Sequence, residues 1–518
     1  MAADHSSIVL GETQPLTIAS WARYVPGPSP EFRYKKITGR YARSGIITSG
    51  AIALFLSGYN LPLMGSITSV PSYLKTIGLT TSTSGERLLI GFIGALYFVG
   101  VMLGALISGW LSDKVGRRRA LICASVWGCI IVPIFAASQN LGWVISTRIL
   151  NGVATGAFDS IGLNWCAETV SHKKRGRSIG FQLCSAAVGA SSCYFIIYGM
   201  IKQHTGEIVW RFPMAFQLVC FVSVLILVPL LPESPRWLVK VGMHNEAQLV
   251  LIAMAHDNVP SNEDAQAAQR AAALEVATIA AALEEERAEK SSASYFSMFL
   301  KRDRMHTLRR TWSAFFIQFA TQAFLATGYL AGYGIVIFET SGWSSDTAAL
   351  LAGMVILTQA VCGLGGAFLA DRLGRRVAMM TGTLSGAVFL SLLGMCAYFV
   401  AEYAESDPGR AKAFGNGALV LTLLWGAQYG LTFLWFSFTY PSEIFPAQSR
   451  ARGSSVGIAG FATGSFLANM VSTYIFNAIG WGTMFLLSGT SFMVAAICYF
   501  FMPETANKTL EEIDHLFD

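Results

Sequence analysis

Apolar and polar positions along this chain fall into long blocks rather than the short periods of a soluble domain. Twelve mainly apolar runs occupy residues 46–66, 88–111, 119–138, 141–164, 178–201, 211–231, 311–338, 347–370, 377–400, 416–440, 453–477 and 481–502. About 20 apolar residues, at a rise of about 1.5 Å each, cross the hydrocarbon of a bilayer as a helix. Every run reaches that length, and a helix pairs its own backbone groups where no water can. The pattern predicts an all-α integral membrane protein of twelve transmembrane helices. A polar stretch at 232–310 divides them into two six-helix halves, 46–231 and 311–502. A segment 1–45 precedes the first half, and a tail 503–518 follows the second.

The halves echo one another. GWLSDKVGRRR at 109–119 closes the second run, and AFLADRLGRR at 367–376 closes the eighth, placing Asp371 258 residues beyond Asp113. Glu168 precedes KKRGR as Glu443 precedes SRARG, and PESPRW at 232–237 is matched by PETANKT at 503–509. Three markers recurring in order, about half a chain apart, describe a duplicated membrane bundle.

Composition agrees with lipid as the solvent. The chain is 53% hydrophobic and 13% charged, against about 25% charged in a soluble domain. Its net charge of +6 sits beside apolar runs and joins no aromatic-basic motif, so lipid headgroups explain it and nucleic acid does not. Loops after runs two, four, eight and ten carry thirteen Lys and Arg, the opposite short loops six. That bias predicts both termini and the 232–310 loop in the cytoplasm. Within that loop Asn262–Lys290 is rich in Ala and Glu without Gly or Pro, which predicts surface helix. Nine cysteines lie in apolar segments without metal-ligand spacing, as small buried side chains do. All seven histidines lie outside the runs and no Walker-type loop occurs, so neither an enzyme nor an ATP-driven pump is expected, and no cofactor. Gly91, Gly94, Gly100, Gly104 and Gly109 of the second run and Gly152 and Gly156 of the fourth predict close helix approach in the first half.

The ordered motifs resemble those of the sugar porters of the major facilitator superfamily, in its fungal-type branch. They are GWLSDKVGRRR, Arg148-x-x-x-Gly152-x-x-x-Gly156, Glu168 with Arg175-Gly176-Arg177, PESPRW, AFLADRLGRR, Tyr440-Pro441-Ser442-Glu443-Ile444-Phe445-Pro446, and Pro503-Glu504-Thr505 with Leu510-Glu511-Glu512-Ile513-Asp514. The resemblance implies a monomeric plasma-membrane carrier of a sugar-like solute that works by alternating access. It also implies a gating network of Asp113, Arg117, Glu168 and Arg177, repeated by Asp371, Arg375, Glu443 and Arg452. Near the membrane edge the effective dielectric falls below that of water and such ion pairs strengthen.

For the pocket, a sugar asks for amides to meet its hydroxyls and an aromatic face for its C–H side. Gln318 and Gln322 stand one turn apart and share a helix face. By resemblance Gln182, Gln322 and Asn469 match sugar-binding amides of the family, and Phe438 falls at its tenth-helix Trp, with Trp435 one turn earlier. The seventh run departs from the family's QQxxGxN, reading Thr321-Gln322-Ala323-Phe324-Leu325-Ala326-Thr327. The solute is thus open among hexose, pentose, disaccharide, polyol and a carboxylated ring such as quinate.

Away from the run ends only Arg148 and Asp159 are formally charged, both in the fourth run. A charge inside a span is costly and functional by default. In proton-coupled relatives the matching Arg faces an Asp of the first helix, where this chain has Asn60 in Gly58-Tyr59-Asn60. Asparagine releases no proton, so facilitated diffusion is expected. The alternatives are proton symport through Asp159, eleven residues beyond Arg148, and a nontransporting nutrient sensor on the same fold.

Overall fold

A computed structural model describes residues 39–68, 70–79, 84–170, 172–255, 262–288, 295–300, 306–327, 329, 338, 343–445 and 450–504. The side chains of Arg177, Asp371, Trp435 and Glu443 lie outside the described residues. The described residues form helices joined by short turns, without strands.

In the first half α1 (Gly39–Ile67) is followed by the short α2 (Pro71–Ile77), then α3 (Ser84–Val115), α4 (Arg117–Ala136), α5 (Leu141–Thr169), α6 (His172–Gln203) and α7 (Ile208–Leu227). The loop folds as α8 (Pro235–Lys240), α9 (His244–Ala255), α10 (Asn262–Ala288) and α11 (Tyr295–Leu300). The second half holds α12 (Thr307–Ala323), α13 (Ser345–Leu373), α14 (Arg375–Tyr403), α15 (Pro408–Glu443), α16 (Arg450–Ile479) and α17 (Gly482–Phe501). The Ala- and Glu-rich stretch forms the single helix α10, whose Ala272, Val276 and Leu283 are buried along one stripe.

Ten of these helices are long and apolar enough to cross a membrane. The two spans outside that set are α5, which carries Arg148 and Asp159, and α12, which is 17 residues long. The seventh run is not the continuous helix that its apolar length suggested. It stops at Ala323, and Ala326 adopts a left-handed backbone with φ 65°. The carbonyl of Phe324 at this break accepts hydrogen bonds from the hydroxyls of Thr490 (2.8 Å) and Ser491 (3.4 Å). An interruption inside a membrane protein is tolerated where neighbouring side chains satisfy the freed backbone in this way.

Packing repeats between the halves. An added Cβ at Gly100, Gly104, Gly152 or Gly156 would overlap a backbone carbonyl across the α3–α5 contact, so these helices touch backbone to backbone. Gly430 makes the same approach to Gln359 between α15 and α13, Gly58 and Gly189 join α1 to α6, and Gly460 and Gly464 join α16 to α12. The halves meet along α3 against α16 and α6 against α13. Outer faces expose apolar side chains such as Ile107, Ile226, Val361 and Phe500. On a twelve-helix bundle that surface faces lipid, and the chain is a multi-pass membrane protein.

Candidate solute cavity and charge latch

A cavity lies between the halves. The first half supplies Ser57 and Leu61 from α1, Asp159 from α5 and Ala187 from α6. The second supplies Gln322 from α12, Gln359 from α13, Trp425 and Tyr429 from α15, and Phe461 from α16. Most of the wall is apolar or aromatic, and a few polar groups converge on it, as in a small-molecule site.

Asp159 is the one formally charged residue in that wall among the described residues. Its Oδ2 accepts a hydrogen bond from Ser57 Oγ at 2.7 Å, while its buried Oδ1 has no partner among the described residues. Gln322 Oε1 is likewise buried and unpartnered. Leaving a buried acceptor unmade costs about 1–3 kcal/mol, and such groups cluster where a ligand or water completes them.

Of the other expected pocket residues, Phe438 also lines this cavity. Gln182 is buried between α6 and α1 and donates from Nε2 to the Ile47 carbonyl at 3.2 Å, off the cavity wall. Asn469 donates to the Ser465 carbonyl of its own helix at 2.9 Å and stands off the wall too. Gln318 lines a second, narrower cavity. Sequence reasoning missed Gln359, Trp425 and Tyr429. Their one signal was the helical spacing that puts Trp425 and Tyr429 on one face, where their rings stack at 5.4 Å.

Asn60 and Arg148 engage different partners. Asn60 donates from Nδ2 to Gln217 Oε1 at 2.9 Å, and Asn151 donates to the same oxygen at 2.9 Å and to Asn60 Oδ1 at 3.4 Å. The result is a neutral three-amide cluster. The Arg148 guanidinium lies over the Tyr97 ring at 4.6 Å and donates to the Gly94 carbonyl at 3.3 Å, with Nε and Nη1 unpartnered among the described residues.

At the base-rich end of the bundle the charges converge. Arg117 pairs with Glu168 at 2.7 Å and with Asp113 at 3.2 Å. Asp113 also receives Lys240 at 3.2 Å and, across the halves, Arg452 at 3.9 Å. Ser160 and Ser455 bridge the halves at 2.8 Å, and Tyr295 of α11 donates to the Leu106 carbonyl at 2.8 Å beside them.

The duplicated PES and PET segments have a physical role here that spacing alone did not reveal. Glu233 accepts the backbone N–H of Arg117 (2.8 Å) and of Arg118 (3.2 Å) at the start of α4. Glu504 accepts those of Arg375 (2.8 Å) and Arg376 (2.9 Å) at the start of α14. Each carboxylate thus fills the orphan donors of a helix N-terminus, where negative charge is also favoured by the helix dipole. Gly116 (φ 95°) and Gly374 (φ 80°) turn the chain into these helices with backbone angles that suit glycine. Burial pushes the Glu233 carboxyl above its ordinary range, while the amides of Ser234 and Arg118 and the Arg117 charge draw it back.

Comparison with known proteins places the molecule. The family described as sugar (and other) transporter matches residues 46–517. Sugar transporter STL1 of Saccharomyces cerevisiae is 27% identical over 93% of this chain and 82% of its own length. The arabinose-proton symporter of Bacillus subtilis is 26% identical over 82% of this chain and 86% of its own. The proton:xylose symporter XylE of E. coli, solved with 6-bromo-6-deoxy-D-glucose, superimposes with a TM-score of 0.73. That superposition covers 92% of this chain and 99% of XylE at 21% identity, a likeness of fold: the twelve-helix architecture of the major facilitator superfamily. Motifs, repeat and match agree over nearly the whole length, and the chain belongs to the sugar (and other) transporter family.

Proposed function

We propose that this chain carries a neutral sugar or polyol across a membrane by alternating access, as a uniporter. The observation that carries the proposal is the cavity between the halves, into which Asp159 and Gln322 bring unpartnered acceptor oxygens. Hydroxyl donors complete such acceptors, and the Trp425 and Tyr429 rings offer a face for the C–H side of a sugar. Among the described residues the only charged group in the wall is an acid, which disfavours a carboxylated solute such as quinate. The expected cytoplasmic side is the base-rich end, with the latch closing it, both termini on that side, and a single bundle at the plasma membrane as the working unit. The solute leaves chemically unchanged.

Uniport rests on Asn60, which lies in a neutral amide cluster, with no carboxylate paired to Arg148 among the described residues. Proton symport is the second reading, favoured by the unpartnered Asp159 oxygen. The test is uptake of labelled D-glucose, D-xylose and sorbitol in transporter-deficient cells, with unlabelled competitors including quinate. Equilibration without accumulation, unchanged by a protonophore, is expected. Accumulation that a protonophore collapses and Asp159→Asn removes would replace uniport by symport through Asp159. No uptake of any solute would leave the sensor reading in its place.

A further inference from the structure

A second, narrow cavity lies between the central cavity and the charge latch. Along α5 its Asn164 is five residues beyond Asp159 and four before Glu168, about 7.5 Å and about 6 Å at the helical rise. Along α12 its Gln318 is one turn nearer the base-rich end than Gln322. Both halves thus place this cavity on the route from the central site to that face. Phe438 lines both cavities and stands between them.

Its polar groups are unfinished. Asn164 Nδ2, Gln318 Oε1 and Ser454 Oγ are buried without a hydrogen-bond partner among the described residues, and their residues are 4%, 1% and 8% exposed. They come from α5, α12 and α16, so both halves contribute. Three apolar side chains would pack here without that cost. An amide donor, an amide acceptor and a hydroxyl together complement adjacent hydroxyls, each of which both donates and accepts. Among the described residues the cavity wall carries no ionisable side chain. We propose that Asn164, Gln318 and Ser454 form a second solute subsite on the base-rich side of Phe438. It takes the hydroxyl edge of the same neutral polyhydroxylated solute as it moves between the central cavity and that face. The inference rests on the transport reading.

The test measures KM from each face, in intact cells and in inverted vesicles, for whichever of D-glucose, D-xylose and sorbitol the wild type moves fastest. Asn164→Leu and Gln318→Leu are each expected to raise KM from the base-rich face about 2- to 12-fold, the loss of one neutral hydrogen bond. From the opposite face the change should stay under about twofold, and Asn164→Gln should restore the wild-type value. Ser454→Ala, a small change that keeps the packing, carries the same one-sided expectation should the leucine variants fail to fold. An equal rise from both faces would overturn the proposal by merging these residues with the central site. No change from either face would overturn it by reducing the cavity to a water site. Wild-type protein that moves none of the three solutes would instead remove the transport reading underneath.

Discussion

The two halves are alike at their ends and unlike at their centres. Glu233 and Glu504 cap equivalent helices, Gly116 and Gly374 turn the chain into them, and glycines weld α3 to α5 as they weld α13 to α15. Glu168 and Glu443 stand 275 positions apart, and the same shift carries Arg148 to Leu423 and Asp159 to Leu434. The Asp159 carboxylate of α5 thus shares the cavity with an aromatic wall on α15, built from Trp425, Tyr429 and Phe438. Duplication maintains the scaffold, and the proposed solute site lies where the copies have diverged.

The largest effect should come from breaking what the halves share. Gly104→Leu and Gly430→Leu each drive a side chain into a backbone carbonyl of the facing helix. Backbone cannot yield as a side chain does, so a loss of more than about 3 kcal/mol is expected. Fluorescence-detected size exclusion should show no monodisperse protein for either variant. A folded Gly430→Leu beside an unfolded Gly104→Leu would show that only the first half depends on the weld.

Next comes the divergence itself. Asp159→Ala should raise the KM for a neutral solute about 10- to 100-fold, since a hydrogen bond to a charged group contributes about 1.5–3 kcal/mol. Asp159→Asn keeps an acceptor oxygen and should do less. Equal KM values for Asp159→Ala and wild type would remove the carboxylate from the solute's path.

The smallest effect separates two amides that read alike in the sequence. Gln322→Ala should raise KM about 2- to 12-fold, whereas Gln182→Ala should leave KM unchanged, because Gln182 is bonded to the Ile47 carbonyl off the cavity wall. Uptake kinetics at matched surface expression decide it. A rise for Gln182→Ala equal to that for Gln322→Ala would extend the site toward α1.

That contrast also marks what the sequence disclosed. Spans, repeat, the α10 helix and the family were legible because hydropathy and local motifs are properties of contiguous residues. Rotation of a helix about its axis is not. Asn60 lies with Gln217 and Asn151, while Arg148 lies over Tyr97, and a few tens of degrees of rotation decide between such partners. Gln359 carried no motif, and it enters the wall only because α13 packs against α6. The seventh run looked continuous because its break is held by Thr490 and Ser491, far away in the chain.

The composition of α5 also bears on how the protein is made. Each formal charge at a span centre raises the cost of entering lipid by about 2.5–3.5 kcal/mol. Between 141 and 164 the helix offers nine Leu, Ile, Val and Phe residues, each favouring entry by about 0.3–0.6 kcal/mol. Two charges outweigh them, so the segment is a poor passenger by itself. Its companions are already waiting when it leaves the ribosome: Ser57 of α1 meets Asp159, and the Gly94 carbonyl of α3 meets Arg148. The charged helix is synthesised after the two that receive it, and a circular permutation placing α5 first would deprive it of both at the translocon.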